Sequence, residues 1–308
     1  TNSSSSGDSI QNVAIGNQAM EENTSGYRNV AIGYRAMELN QTQNTQVAVG
    51  WYALRESVSG GSNTALGHYT LTRTTTGASN TAVGHATLQY NTTGSYNTGV
   101  GDRALDQLTT ASNNTAVGYQ ALYLNTTGAN NTAVGYAALD ATTTGSENTA
   151  VGSNALSANT TGYQNVAMGR YAGNLITDGH EDTAIGYRAL SQCTTGDHNT
   201  AIGHDALESV STGSYNTALG RDAGRLITTG ASNICIGHNT NDAANTANVV
   251  AIGAFAASSN EADNIVSVGY FSLMSNTSGG SNVAVGANAL RENTTASYNT
   301  AVGHDSME

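Results

Sequence analysis

An apolar residue followed by glycine returns every seventeen residues through almost the whole 308-residue chain, and few folds can accommodate that. The apolar partners are Ile15, Ile32, Val49, Leu66, Val83, Val100, Val117, Val134, Val151, Met168, Ile185, Ile202, Leu219, Ile236, Ile252, Val268, Val285 and Val302. Every step is seventeen residues except two of sixteen, Ile236 to Ile252 and Ile252 to Val268. A fixed short period over a whole chain marks a stacked solenoid, in which each repeat buries its core only against its neighbours. The expectation is one all-β domain over residues 1–308, a parallel β-solenoid of about eighteen coils, with irregular coils around 238–265.

Taking Asn114 as position 1 of its coil places Thr115, Ala116, Val117 and Gly118 at positions 2 to 5, and Asn131, Val134 and Gly135 repeat them one coil on. Position 4 is apolar and position 5 is Gly in all eighteen copies. Position 2 alternates Thr with Val or Ile, which share a shape, so positions 2 and 4 are expected to turn inward as β-branched strand residues. Position 3 is Ala except at Gly99, Cys235 and Ser267, and is expected to face outward. Methyls of the Ala104 and Ala116 type would then be kept small by a neighbouring subunit packed against them. Position 9 is Leu or Met in fourteen copies and is expected to close the thin core from a second strand. Where Gly173 and Gly224 replace it, Leu175-Ile176 and Leu226-Ile227 are expected to compensate. The element Asn125-Thr126-Thr127-Gly128 supplies the second corner. Each coil thus reads as a flattened roll of two short strands and two turns. Asn at position 1 in fourteen copies is expected to stack into an amide ladder along the axis.

Composition narrows the partners. A net charge of -12, with Arg as the only strong cation, disfavours nucleic acid. Pro is absent, as suits continuous backbone ladders. No apolar run is long enough for a membrane-spanning helix, so no membrane insertion is expected within this chain. Charged residues make up only 10% of the sequence, and neutral hydrogen-bonding residues take their place. That balance suits an exported protein: extracellular, at a cell surface, or on a virion tail. Cys193 and Cys235 lie about two and a half coils apart, roughly 12 Å at ~4.8 Å per coil, beyond the ~7 Å reach of a disulfide. Both are read as free thiols. Two or three sizeable apolar side chains per coil make a thin core, so a homo-oligomer, with a trimer foremost, is expected. The repeat runs from Ile15 to Val302, and end-to-end assembly is a further expectation.

Position 6, just past the Gly corner, carries Tyr34, Trp51, His68, His85, Tyr119, Tyr136, Tyr187, His204, His238, Tyr270 and His304. Stacked rings flanked by Asn and Asp form a candidate sugar-binding stripe, although rings that merely cover a corner would give the same pattern. His68 and His85 lie one coil apart without a third metal ligand that recurs beside them, so no metal is assigned. The run Asp178-Gly179-His180-Glu181-Asp182 lacks the alternating acids of a calcium loop and reads as a solvated turn. Asn91, Asn125, Asn159, Asn276 and Asn293 begin glycosylation sequons in the turns. Gly99-Val100-Gly101 has no helix behind it and is not a phosphate loop. No coil carries an insertion that would wall a cleft, and neither a catalytic residue nor a cofactor is assigned.

The words Asn12 to Met20 (NVAIGNQAM), Asn29 to Met37 (NVAIGYRAM) and Asn114 to Leu122 (NTAVGYQAL) resemble the head repeats of YadA-like trimeric autotransporter adhesins. They are equally similar to repeats of phage tail-fibre and other bacterial surface-fibre proteins. The resemblance covers nearly the whole chain and implies a left-handed parallel β-roll, three chains to a trimer, and adhesion to a host glycan or matrix protein. The coil here is longer than in those heads, and no heptad stalk or anchor barrel is present. The expected function is a non-enzymatic structural or adhesive fibre segment, of a cell surface or a phage tail fibre. An ice- or glycan-binding solenoid is the alternative; against ice stand the Thr/Val exchange and expected burial at position 2.

Overall fold

The computed structural model describes residues 11–308, which are all-β with no helix among them. Eighteen three-residue strands, β1 (Val13–Ile15) to β18 (Thr300–Val302), run parallel in a β-solenoid with about seventeen residues per turn. The chain divides into two compact units, one ending at Ala150 and the other beginning at Val151. In the first, β1 to β8 (Thr132–Val134) pair in sequence, from Val13 opposite Val30 to Thr115 opposite Thr132. In the second, β10 (Val166–Met168) to β18 do the same, from Val166 opposite Thr183 to Val283 opposite Thr300. The sixteen-residue steps leave this register intact, since Ile234 faces Val250 and Val250 faces Val266. Residues 238–265 therefore lose one residue per coil from the turns and keep the strand ladder.

The strands face the opposite way to the sequence expectation. Ala116 is fully buried, whereas Val117 remains 37% exposed and Thr115 is half-buried. The same holds along both units from β2 (Val30–Ile32) onward: the position-3 residue lies inside, and positions 2 and 4 face outward, while Ala14 of the first strand is exposed. Ala104, at position 8, is inside as well. Small residues recur because the interior is narrow, not because a neighbour presses on them from without. A coil interior holds the two alanines, one Leu and two amides, for example Ala116, Ala121, Leu122, Asn114 and Asn125. Val117 and Val134 would overfill that space, so they occupy the outer face.

Only one strand forms per coil; the expected second strand is a run of turns. Its residues alternate in handedness, with Gln120 at φ 54° and Leu122 at φ 52°. Every other N–H group of this run reaches an adjacent coil. Gln120 N–H donates to Asp102 O of the preceding coil at 3.0 Å, and Leu122 N–H to Ala138 O of the following coil at 3.0 Å. A non-Gly residue in the left-handed region costs about 1 kcal/mol or more, which these paired amides and the buried Leu offset. Where Gly173 takes that position, Ile176 fills the space together with Leu156 of the preceding coil, while Leu175 points outward. Ile227 and Leu226 divide in the same way beside Gly224.

Asparagine completes the interior, as the stacking argument expects. Asn114 N–H donates to Asn97 Oδ1 at 2.9 Å, and Asn114 Nδ2 donates to Gly128 O at 3.0 Å and to Asn97 Oδ1 at 3.2 Å. Asn131 repeats the pattern, its N–H on Asn114 Oδ1 and its Nδ2 on Gly145 O. A second buried amide, Asn125, closes the turn onto Gly128 from both sides. Gln46 is one methylene longer than Asn, and its coil carries the shorter Ser57 opposite, 3.0 Å from Gln46 Nε2. The Gly corner is equally constrained. Gly118 sits at φ 138°, and a Cβ there would lie 2.3 Å from Gly135 O. Cys193 and Cys235 are free and buried.

Candidate functional site

Two surfaces stand out, and the first is the outer face of the strands. Position 4 is aliphatic in every copy and position 2 is Thr, Val or Ile, so no charge falls on either row. In the first unit this face runs through Leu66, Val100, Val117 and Val134, and in the second through Met168, Leu219 and Ile234, all exposed. The outward setting of position 2 removes the burial argument against ice binding. The exchange of Thr115-type for Val166-type residues along the row still leaves it chemically uneven.

The second surface is aromatic. The structure breaks the position-6 stripe into separate groups. Tyr34, Trp51, His68 and His85 form one, with ring centroids 5.1, 5.7 and 5.6 Å apart in that order. Asp102 ends this group, 3.5 Å from His85 Nδ1. Tyr119 and Tyr136 stack at 5.4 Å, and Tyr187 lies 5.0 Å from His204. The first group is larger than position 6 alone provides. Tyr52 and Tyr69 at position 7 stack on each other at 5.6 Å and join Trp51 and His68. Left-handed φ at Tyr52 and Tyr69 turns this second row outward beside the first. The adjacent pairs Trp51-Tyr52 and His68-Tyr69 were the available signal in the sequence. Arg35 and Arg55 lie over Tyr52, both tied to Glu38 at 3.3 and 2.7 Å. Trp51, the only tryptophan in the chain, is 51% exposed at the centre of this group. A further ring file, Tyr163, His180, His198 and Tyr215, occupies the second corner and was not evident from position 6.

The remaining candidates resolve into structure. Asp178 accepts the Thr161 hydroxyl at 2.7 Å, Glu181 pairs with His198 at 3.2 Å, and Asp182 is buried in the amide ladder. These three carboxylates have separate partners and do not converge as a calcium cage would require. Asn91, Asn125, Asn159 and Asn276 are fully buried, each with its amide on a turn carbonyl, out of reach of glycosylation in the folded chain. Asn293 makes the same turn contact with Ala296 O at 3.1 Å. The turn threonines are engaged too: Thr92 and Thr109 each donate their hydroxyls to the next coil's carbonyl.

Two buried thiols and one buried acid have shifted protonation. Burial pushes both Cys193 and Cys235 up to about 12, so neither is a thiolate nucleophile. Burial also raises Asp182 to about 7, against the hydrogen bond from Asn199 N–H that favours its charged form. Among the described residues no helix is long and apolar enough to cross a membrane. No protein-family model and no curated protein matches the chain.

Proposed function

We propose that this chain is a non-enzymatic structural and adhesive segment of an extracellular fibre, at a cell surface or on a phage tail, that assembles with copies of itself. The observation that carries the reading is the uncharged outer strand face. An uncharged file of aliphatic residues, half-buried to exposed in every coil, is the kind of surface that marks association. Identical strands stacked in register offer a second copy a matching, equally regular face. A cyclic arrangement keeps such chains parallel, and three is the number that the adhesin-like repeats imply. Association through the face would add the apolar burial that each thin coil lacks.

The test is the mass of the assembled chain, by sedimentation velocity and native mass spectrometry. A trimer is expected, and the triple substitution Val100→Glu, Val117→Glu and Val134→Glu should release folded monomers. A wild-type chain that stays monomeric at high concentration would sink the reading.

A second reading, glycan attachment, draws support from the aromatic and arginine group around Trp51. Stacked rings with ordered guanidinium groups present the apolar and polar contacts that a sugar offers in return. Glycan-array binding that is lost in Trp51→Ala would support it. Binding unchanged by that substitution would remove this group from the account.

A further inference from the structure

We propose that His204, Asp205, Asp222 and His238 form a binding site for a zinc-class divalent transition metal, bridging three successive coils of the second unit. His204, Asp205 and Asp222 each present a ligand atom within 4.8 Å of the others. His204 Nδ1 is 3.1 Å from Asp205 Oδ2, and His238 Nε2 is 3.9 Å from Asp222 Oδ2. Tetrahedral zinc with bonds of about 2.0–2.1 Å sets its ligand atoms about 3.4 Å apart, and these separations bracket that value. Two imidazoles with two carboxylates are a donor set that this class of ion takes, and hard cations such as calcium do not use imidazole.

The protein's own charges leave room for a cation here. Asp205 is 9% exposed and Asp222 is 8% exposed, one directly following the other in the stack. Asp205 Oδ1 is sealed from solvent and accepts no hydrogen bond, with Arg188 only approaching it at 4.0 Å. Arg188 is committed to Glu208, and Arg225 to Asp242 at 3.3 Å. Arg221 touches Asp222 at 3.1 Å, but its side chain is 68% exposed. Being mostly in solvent, the Arg221 side chain has room to swing aside when a metal takes that oxygen. Both histidines reach the surface, which gives the ion a way in.

The position also has a mechanical rationale. His238 opens the first sixteen-residue coil, where buried Thr240 and Asn241 replace the regular Ala-Leu core pair. A metal held by His204, Asp222 and His238 would pin that coil to the two regular coils before it.

The experiment is calorimetric titration of zinc chloride into tag-free, chelator-treated chain, with the heat-unfolding temperature followed in parallel. One equivalent per chain is expected, together with a zinc-dependent rise in unfolding temperature. His204→Ala and His238→Ala should each weaken binding by at least roughly tenfold. His68→Ala, which removes a histidine from the first unit, should leave it unchanged. Circular dichroism identical to wild type would establish that the variants fold. No saturable zinc uptake would overturn the site. So would uptake unchanged in His204→Ala/Asp222→Asn, or an equal loss with His68→Ala.

Discussion

Asn80 Oδ1 accepts two hydrogen bonds from Asn97 in the next coil, from its backbone N–H at 2.9 Å and its side-chain amide at 3.1 Å. One oxygen thus satisfies both a buried backbone donor and a buried side-chain donor. The same Asn97 amide reaches Ala111 O at 2.9 Å, which ties the second corner to the strand. Repetition of this unit lets a coil with little apolar content exclude water from its interior.

Asn97→Ala should therefore cost far more than its small volume suggests. It strands the Asn114 N–H and the Ala111 carbonyl inside the coil, and each unsatisfied buried group costs about 1–3 kcal/mol. A loss of roughly 2–5 kcal/mol is expected from urea unfolding. Thr110→Ala, at an exposed turn position of the same coil, should stay within about 0.5 kcal/mol. Equal effects at the two positions would refute the ladder as a source of stability.

Gly118→Ala should be severe and Gly61→Ala mild. A Cβ at Gly118 meets Gly135 O at 2.3 Å in a positive-φ corner, while one at Gly61 meets nothing nearer than Asn44 O at 3.5 Å. The first substitution is expected to cost about 3 kcal/mol or more through strain and broken stacking, and the second under about 1 kcal/mol. Thermal unfolding of the two variants side by side checks the contrast.

The period, the glycine corner, the amide ladder and the free thiols were legible in the sequence because each depends on identical residues stacking, which repetition exposes directly. The facing of the strand was not. Thr115-Ala116-Val117 alternates equally well in either sense, and hydrophobicity favours Val inside. What decides is the width of the interior, set by Leu122 and the amides of Asn114 and Asn125 on the far side, which no single strand reveals. The turn run was hidden for a related reason. Leu122 in a left-handed conformation contradicts its local preference and is held there by its N–H on Ala138 O of the following coil and by its buried side chain. The aromatic group escaped a one-position reading because Tyr52 and Tyr69 lie on a second outward row that exists only with that backbone.

The facing can be tested directly. Ala116→Leu forces a large side chain into a filled interior and is expected to cost about 1–3 kcal/mol or prevent folding. Val117→Thr keeps the β-branched shape on the outer face and should change the stability of the dissociated chain by under about 1 kcal/mol. If Val117→Thr proves the costlier of the two in chemical denaturation under dissociating conditions, the inward assignment of Ala116 is wrong.

Asp182 makes the second unit pH-sensitive. It occupies the ladder position where Asn165 and Asn199 flank it, and its Oδ1 accepts Asn199 N–H at 2.8 Å. Asn199 sends its Nδ2 to Gly213 O, whereas an ionised Asp182 has no proton to send to its own turn, and its Oδ2 is buried without a partner. Protonation restores the missing donor, and burial accordingly raises this group from 3.8 to about 7. Because the folded chain holds the proton more tightly than the unfolded chain, the stabilisation is complete below about pH 4 and is lost as pH rises through 7. The shift of about 3 units corresponds to at most about 4 kcal/mol between those limits. Asp182→Asn, which carries the donor at every pH, should remove this dependence, unfolding later than wild type at pH 8 and at nearly the same point at pH 4. Parallel unfolding curves for the two proteins across that range would show that Asp182 is not the titrating group.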